Sequence, residues 1–326
     1  MLRIHFTGAD LENVRLARRP DVLWEIVCSV CRLQTREEPL AFDAWRSTAG
    51  TLLRRGGAAR RSALALRSLV PNATYFPDFL TPPSQNAVDD LGVGVDRVLA
   101  TPRHRLRHEM TLLAADGGRP WAGAALARGD VRALTELGGH LRTYYEQFVA
   151  PLWDRVHVAT AADLALRTRA LVDGGNQALL DSLRPMAVWQ SPVLSVDYPI
   201  DRDLHLGGRG LLLVPSYFCA RRPVALADDE LGPVLVVPVD RTCSWSTASP
   251  RTLSRLLGAT RAALLYEAAA REATTSELAG AVGVSLPSAS QQLTALRDGG
   301  LVVSRRDGKS VRHTATPLGH RLLTGR

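Results

Sequence analysis

Ser285, Ser288, Ser290, Gln291, Gln292 and Thr294 set hydroxyl and amide groups along one short stretch, and such groups suit the edges of DNA bases. A glutamine amide matches N7 and N6 of adenine, and a serine hydroxyl can meet a base edge or a phosphate. Ser285 is a good N-cap, and Pro287 fits the first turn, where a missing N–H costs nothing. With Ala289, Leu293 and Leu296 as the buried face, helical geometry turns Pro287, Ser290, Gln291 and Thr294 outward and leaves Ser288, Gln292 and Arg297 at the flanks. Downstream, the strand-like runs 301–306 and 310–314 are joined through Asp307-Gly308, a strong two-residue hairpin signal. Arg305, Arg306, Lys309 and Arg312 cluster there, where cations can hold flanking phosphates or enter a minor groove.

The neighbouring stretches read as the elements that must position this helix. Residues 253–270 are rich in Ala and Leu and predict a first helix, with Leu256, Leu257, Ala263, Leu264 and Ala268 facing its core. Thr275 is the expected N-cap of a second helix, Glu277 favours its dipole, and Leu278, Ala281 and Val282 are expected to bury. Gly283 can take the left-handed conformation that ends it. A last helix follows Thr316-Pro317 and carries Leu318, Leu322 and Leu323. Two short helices and a tight Gly turn form the helix-turn-helix pattern, whose second helix fits the major groove. Charge agrees: residues 251–326 hold ten arginines and Lys309 against five carboxylates, which is +6 of the whole chain's +8.

Helix, helix, "VSLPSASQQLTALRDGGLV", the hairpin "SRRDGKSVRHTAT" and a final helix together resemble an ArsR-type winged helix-turn-helix regulator over roughly residues 253–324. The preceding "MLRIHFTGADLENVRLARRPDVLWEIV" and "DRDLHLGGRGLLLVPSYFCARRPV" are similar to a domain found in front of such regulators in high-GC bacteria. The resemblance implies a homodimer on a pseudo-palindromic double-stranded operator, and often metal sensing. Metal-sensing members carry cysteines on the first helix of the motif, where this chain has Ser276-Glu277-Leu278-Ala279-Gly280-Ala281. For the family's other metal site only His313 and His320 are available, without acidic partners, so no metal is expected.

At 326 residues and 46% hydrophobic content the chain predicts two domains, 1–245 for regulation or dimerisation and 251–326 for DNA, joined by the Ser- and Thr-rich 243–250. The expected fold class is mainly α with small β elements (α+β): a large helical N-terminal domain with one small sheet, then the winged helix-turn-helix. Residues 2–6 and 14–17 read as strands around a short capped helical turn. Helical spacing covers 23–33, 42–54, 60–69, 86–100, 102–115 and 130–183, the last broken near Pro151. Residues 71–83, with four prolines, predict an ordered loop packed by Tyr75, Phe76 and Phe79. Short β-like runs at 193–196, 210–214, 223–226 and 234–239 supply the sheet.

Other chemistry is weaker. Cys28 and Cys31 form a CxxC inside an apolar helix with no second pair, so buried small side chains outweigh a redox or metal role. Cys219 and Cys243 complete a set too small for a disulfide scaffold. His104 and His108 have zinc-helix spacing but sit among Arg103, Arg105 and Arg107, as on a solvated face. Gly207, Gly208 and Gly210 precede a strand and do not link strand to helix, against a phosphate loop. Arg54, Arg55, Arg60 and Arg61 read as solvated surface. Trp24, Tyr144, Tyr145, Phe148, Trp153 and Trp189 either line an effector pocket or make ordinary core. No nucleophile elbow, paired metal motif or dinucleotide fingerprint is present, so the chain is read as no enzyme and no cofactor is expected. No secretory or membrane-spanning pattern occurs, which predicts a cytoplasmic protein. The expectation is a sequence-specific, non-metal-sensing transcriptional regulator, a repressor, whose N-terminal domain dimerises, senses a small molecule, or both. A DNA-tethered enzyme and a constitutive architectural binder are the alternatives.

Overall fold

The computed structural model describes residues 1–71, 75–82, 87–118, 120–226, 228, 231–241, 254, 257–307 and 310–324. The segment 243–250 read as a linker, Cys243 and Lys309 lie outside them. Contacts divide the chain into two units, Met1–Asp240 and Arg241–Arg326. Both combine helices with small sheets, so the fold is mainly α with β elements. Among the described residues no helix is long and apolar enough to cross a membrane.

The first unit is built on two four-stranded sheets where a single small one was expected. One has the order β3-β4-β1-β5, formed by β1 (Leu2–His5), β3 (Ala187–Gln190), β4 (Val193–Val196) and β5 (Arg202–His205). The other has the order β2-β6-β8-β7, from β2 (Val14–Leu16), β6 (Leu211–Ser216), β7 (Val224–Ala225) and β8 (Val234–Pro238). Strands β2, β6 and β8 run parallel, and β7 is an antiparallel edge. The sequence LLLVPS of β6 is buried at every position, as expected of a parallel strand covered on both faces. Alternation sends Leu212 and Val214 into the helical core, and Leu211 and Leu213 into a second core shared with the other sheet. The strands β3 and β5 were not foreseen: AVWQ runs apolar for three residues and RDLH carries a single apolar residue, so neither shows the alternation that marks β1.

Helices pack on the outer face of this parallel sheet: α2 (Val22–Gln34), α3 (Pro39–Arg55), α4 (Gly57–Leu69), α5 (Leu91–Leu99), α6 (Arg103–Ala115), α7 (Gly123–Ala127) and α8 (Val131–Tyr144), after the short α1 (Gly8–Glu12) between β1 and β2. Helix α2 is buried from Val22 to Val30. Asp21 caps it by accepting from the N–H groups of Leu23 and Trp24 at 3.0 and 3.1 Å. Its Glu25 is fully buried and accepts from the Ser216 hydroxyl at 3.0 Å and from the Tyr217 and Phe218 N–H groups at 2.7 and 2.9 Å, which fastens α2 to the end of β6. Past α8 the chain makes a π-turn (Tyr145–Val149) and a 3-10 turn (Ala150–Leu152), the break foreseen near Pro151, and continues as α9 (Trp153–Asp181). Helix α9 kinks at Gly174 and Gly175, the latter at φ +66°.

The second unit holds α10 (Ala259–Ala270), β9 (Ala273–Thr274), α11 (Thr275–Val282), α12 (Leu286–Asp298), β10 (Val302–Asp307), β11 (Ser310–Ala315) and α13 (Pro317–Thr324). A three-stranded sheet runs β10-β11-β9. The core takes Ala262, Leu264, Leu265 and Ala268 from α10, with Leu278, Ala279, Ala289, Leu293, Leu296, Val302 and Ala315. Several burial expectations are corrected: Leu257, Ala263 and Val282 are only half-buried, since the helical phase places Ala262 and Leu265 inward, and Ala281 is exposed, with Ala279 buried beside Leu278; Leu256 lies outside the described residues.

Candidate nucleic-acid interface

Helix α11 starts from a reciprocal cap. The Thr274 hydroxyl accepts the Glu277 N–H at 3.3 Å, and Glu277 accepts the Thr274 N–H at 2.7 Å. The cap is therefore Thr274, one residue before the position expected, because only Thr274 stands three residues ahead of Glu277 in extended backbone. Thr275, freed from that task, shares a hydrogen bond with His313 Nε2 at 2.9 Å. Gly283 closes α11 in the left-handed conformation, at φ +73° and ψ +35°. Two residues on, the Ser285 hydroxyl accepts the Ser288 N–H at 3.4 Å and caps α12, whose first turn contains Pro287.

Ala289, Leu293 and Leu296 anchor α12, and Pro287, Ser290, Gln291 and Thr294 are exposed on its outer face, with Arg297 exposed at its end. Ser288 and Gln292 are half-buried at the flanks. Gln292 is engaged inside the unit, since its amide oxygen accepts from Arg261 Nε at 2.7 Å. Arg297 bonds its neighbour Asp298 at 3.2 and 3.3 Å, a solvated pair of little energy. The uncommitted hydrogen-bonding groups of α12 thus concentrate at Ser290, Gln291 and Thr294, within little more than one helical turn.

The hairpin adds cations to the same unit. Val302 pairs with Ala315 and Arg305 with Arg312, so two arginines stand directly across the ladder. Arg305 and Arg306 are exposed, Arg312 is half-buried, and Arg305 approaches Glu272 at 3.8 Å. Like charges placed opposite each other cost stability in a sheet, and here Glu272 near Arg305 and Glu277 near Arg312 offset part of that cost. Under the hairpin, His313 is buried between two hydroxyls, with Ser304 at 2.8 Å on Nδ1 and Thr275 at 2.9 Å on Nε2. Burial, and then the Arg297 charge, hold its pKa below the ordinary histidine value. Sequence reasoning missed this bridge and the Arg261–Gln292 bond. The signal for His313 was available in the alternation that turns it inward together with Ala315.

The six aromatics proposed for an effector do not share one pocket. Tyr144 stacks on Phe148 at 4.7 Å between centroids, Tyr145 meets Trp153 edge-on at 5.4 Å, and Trp24 meets Phe76 at 6.1 Å. Trp189 lies with Phe6 in the separate core between the sheets. Of the six, Phe148 alone lines the cleft of about 320 Å³ that opens beside α3, together with Trp45, Ala49, Leu52, Leu152 and Arg155. Cys28 is buried against Cys219; that contact, followed by burial, raises its pKa well above the usual thiol value, and burial pushes Cys31 up to about 12. Thiols held protonated are poor nucleophiles and ligands. His104, His108, Arg54, Arg55, Arg60 and Arg61 are exposed. Among the described residues no three metal-ligating side chains converge. No family model, no curated protein and no solved structure matches this chain.

Proposed function

We propose that the C-terminal unit is a winged helix-turn-helix, that α12 enters the major groove of double-stranded DNA, and that the chain is a cytoplasmic transcriptional repressor acting as a homodimer. The observation that carries this reading is the outward row Ser290, Gln291 and Thr294 on a helix with buried Ala289, Leu293 and Leu296, in a unit whose hairpin exposes Arg305 and Arg306. The arginines would fix register through phosphates, and the α12 side chains would read base edges. Recognition helices of a dimer meet successive major grooves at about 34 Å, so an effector bound in the N-terminal unit would act by changing that spacing. The resemblance to ArsR-type regulators, set out from the sequence, points the same way.

The test is recovery of DNA bound by the full chain across the genome, followed by mobility-shift titration of the recovered site at several salt concentrations. A recurrent site with two half-sites, affinity falling steeply with salt and a preference over scrambled duplex are expected. Binding without sequence preference would leave an architectural role in its place, and absence of binding would remove the reading altogether.

A further inference from the structure

One face of α3 and the break between α8 and α9 bound the cleft of about 320 Å³ that Phe148 lines. Its floor is apolar and fixed: Trp45, Ala49 and Phe148 are buried, and Trp45 Nε1 donates to the Phe148 carbonyl at 2.7 Å. Leu52 and Leu152 extend that surface. Phe148 is carried by the π-turn, a departure from the α-helical ladder that is frequent at functional sites. The polar groups of the lining, Thr48, Gln147 and Arg155, are all exposed at the rim. The Thr48 hydroxyl donates to the Ala44 carbonyl at 3.2 Å, whereas neither Gln147 nor Arg155 has a side-chain hydrogen bond or ion pair among the described residues. Asp154, next to Arg155 in the sequence, does not line the cleft, so among the described residues Arg155 is the one charged side chain in the lining.

We propose that this cleft binds a small monocarboxylate with an apolar body, the carboxylate held by the Arg155 guanidinium and the Gln147 amide, and the body laid against Trp45, Leu52 and Phe148. Size limits the ligand. The cleft has about ten times the volume that a water molecule takes up in the liquid, which gives room for about ten non-hydrogen atoms. Charge follows from the lining: one cation balances one anionic group, and a second charge would be left against apolar walls without a partner. The planar guanidinium offers a carboxylate two parallel donors, and the Gln147 amide adds a third. An amine would meet Arg155 with like charge. As the seat of an effector the cleft rests on the reading of the chain as a regulator, but the binding of the ligand does not.

The test titrates phenylacetate, hexanoate, phenylacetamide and phenethylamine into the full chain without DNA, so its outcome is separate from that of the α12 reading. Calorimetry should show saturable binding of both carboxylates in the millimolar range or tighter, with phenylacetate bound at least about tenfold tighter than phenylacetamide and no binding of the amine. Arg155→Gln should abolish the preference for acid over amide, and Arg155→Lys, which keeps the charge without the fork, should restore part of it. Ala44→Trp, at an exposed position in the lining, should fill the cleft and remove binding of every probe with thermal unfolding unchanged. No saturable binding of either carboxylate, equal binding of acid and amide, a preference that survives Arg155→Gln, or binding undisturbed by Ala44→Trp would each overturn the proposal.

Discussion

The Thr275 hydroxyl and His313 Nε2 lie 2.9 Å apart and tie the first residue of α11 to the second strand of the hairpin. Ser304 holds the other ring nitrogen. Replacing His313 with Ala should therefore strand two hydroxyls and cost about 1–3 kcal/mol of stability, measured by chemical denaturation. Its lowered pKa gives the sign of the pH effect. The neutral ring is the folded form, so this contribution is present above the unfolded histidine value and is lost as pH falls toward the folded one. Wild type should lose stability on acidification relative to His313→Ala, and parallel pH curves for the two proteins would refute it.

Gln291 is exposed on α12 with no hydrogen bond inside the unit among the described residues, whereas Gln292 is taken up by Arg261. Gln291→Ala is expected to cost about 1–3 kcal/mol of discrimination at one base pair of each half-site and to leave the salt slope unchanged. Arg306→Ala should do the reverse, weakening all sequences alike and reducing the slope by about one. Competition binding with single-base variants of the recovered site separates the two effects.

Glu109 is buried on α6, and one of its oxygens accepts the Phe79 N–H at 2.6 Å. Among the described residues its other oxygen has no hydrogen-bond partner; Arg105 stands 3.9 Å away, and Asp78, Asp228 and Tyr75 lie close by. Burial is the main cause that raises its pKa from 4.5 to about 7. The unfolded chain therefore binds fewer protons over that interval, and stability falls as pH rises from 4.5 to 7, by about 3 kcal/mol from this group. Glu109→Gln keeps an acceptor for Phe79 and removes the charge. It should raise the melting temperature at pH 8 and flatten the slope between pH 5 and pH 7, and an unaltered slope would exclude Glu109 as its source.

Arg167 and Asp163 form a two-pronged ion pair at 2.6 and 2.9 Å, with side chains 2% and 5% exposed, and Arg167 also donates to the Ser182 carbonyl at 3.3 Å. Removing one partner leaves the other charge buried. Arg167→Met should cost about 3–5 kcal/mol, and adding Asp163→Leu should recover much of that loss. Equal losses in the single and double variants would show that packing, and not the stranded carboxylate, sets the cost.

The helices were legible where a cap and a long apolar period coincide, as from Ser285 through Leu296 and from Asp130 through Tyr144. Those signals are local. The second sheet was not legible, because AVWQ and RDLH show no regular apolar alternation and the strand β1, which lies between β4 and β5, is nearly 200 positions away from both. Of the candidate interface, the outward row on α12 followed from helical geometry alone. The cap at Thr274 was legible as well, in the Thr-x-x-Glu spacing to Glu277 that marks a reciprocal cap, and Thr275, with Leu278 at that spacing, does not share it. Glu25 was invisible, because a carboxylate in an apolar helix gives no sign of the three donors that arrive from residues 216–218.

The chain's first sixteen residues are divided between the two sheets: Leu2–His5 pairs with residues 193–196 and 202–205, and Val14–Leu16 pairs with residues 211–213. Contacts of such long range close slowly, and during synthesis the opening strands must wait unpaired while almost 200 residues of mostly helical chain are made. The helices can form early, but neither sheet can be completed until β5 and β8 have emerged. The C-terminal unit is made only afterwards, so in a newly made molecule the sheets have their chance to close before the helix that carries Gln291 exists.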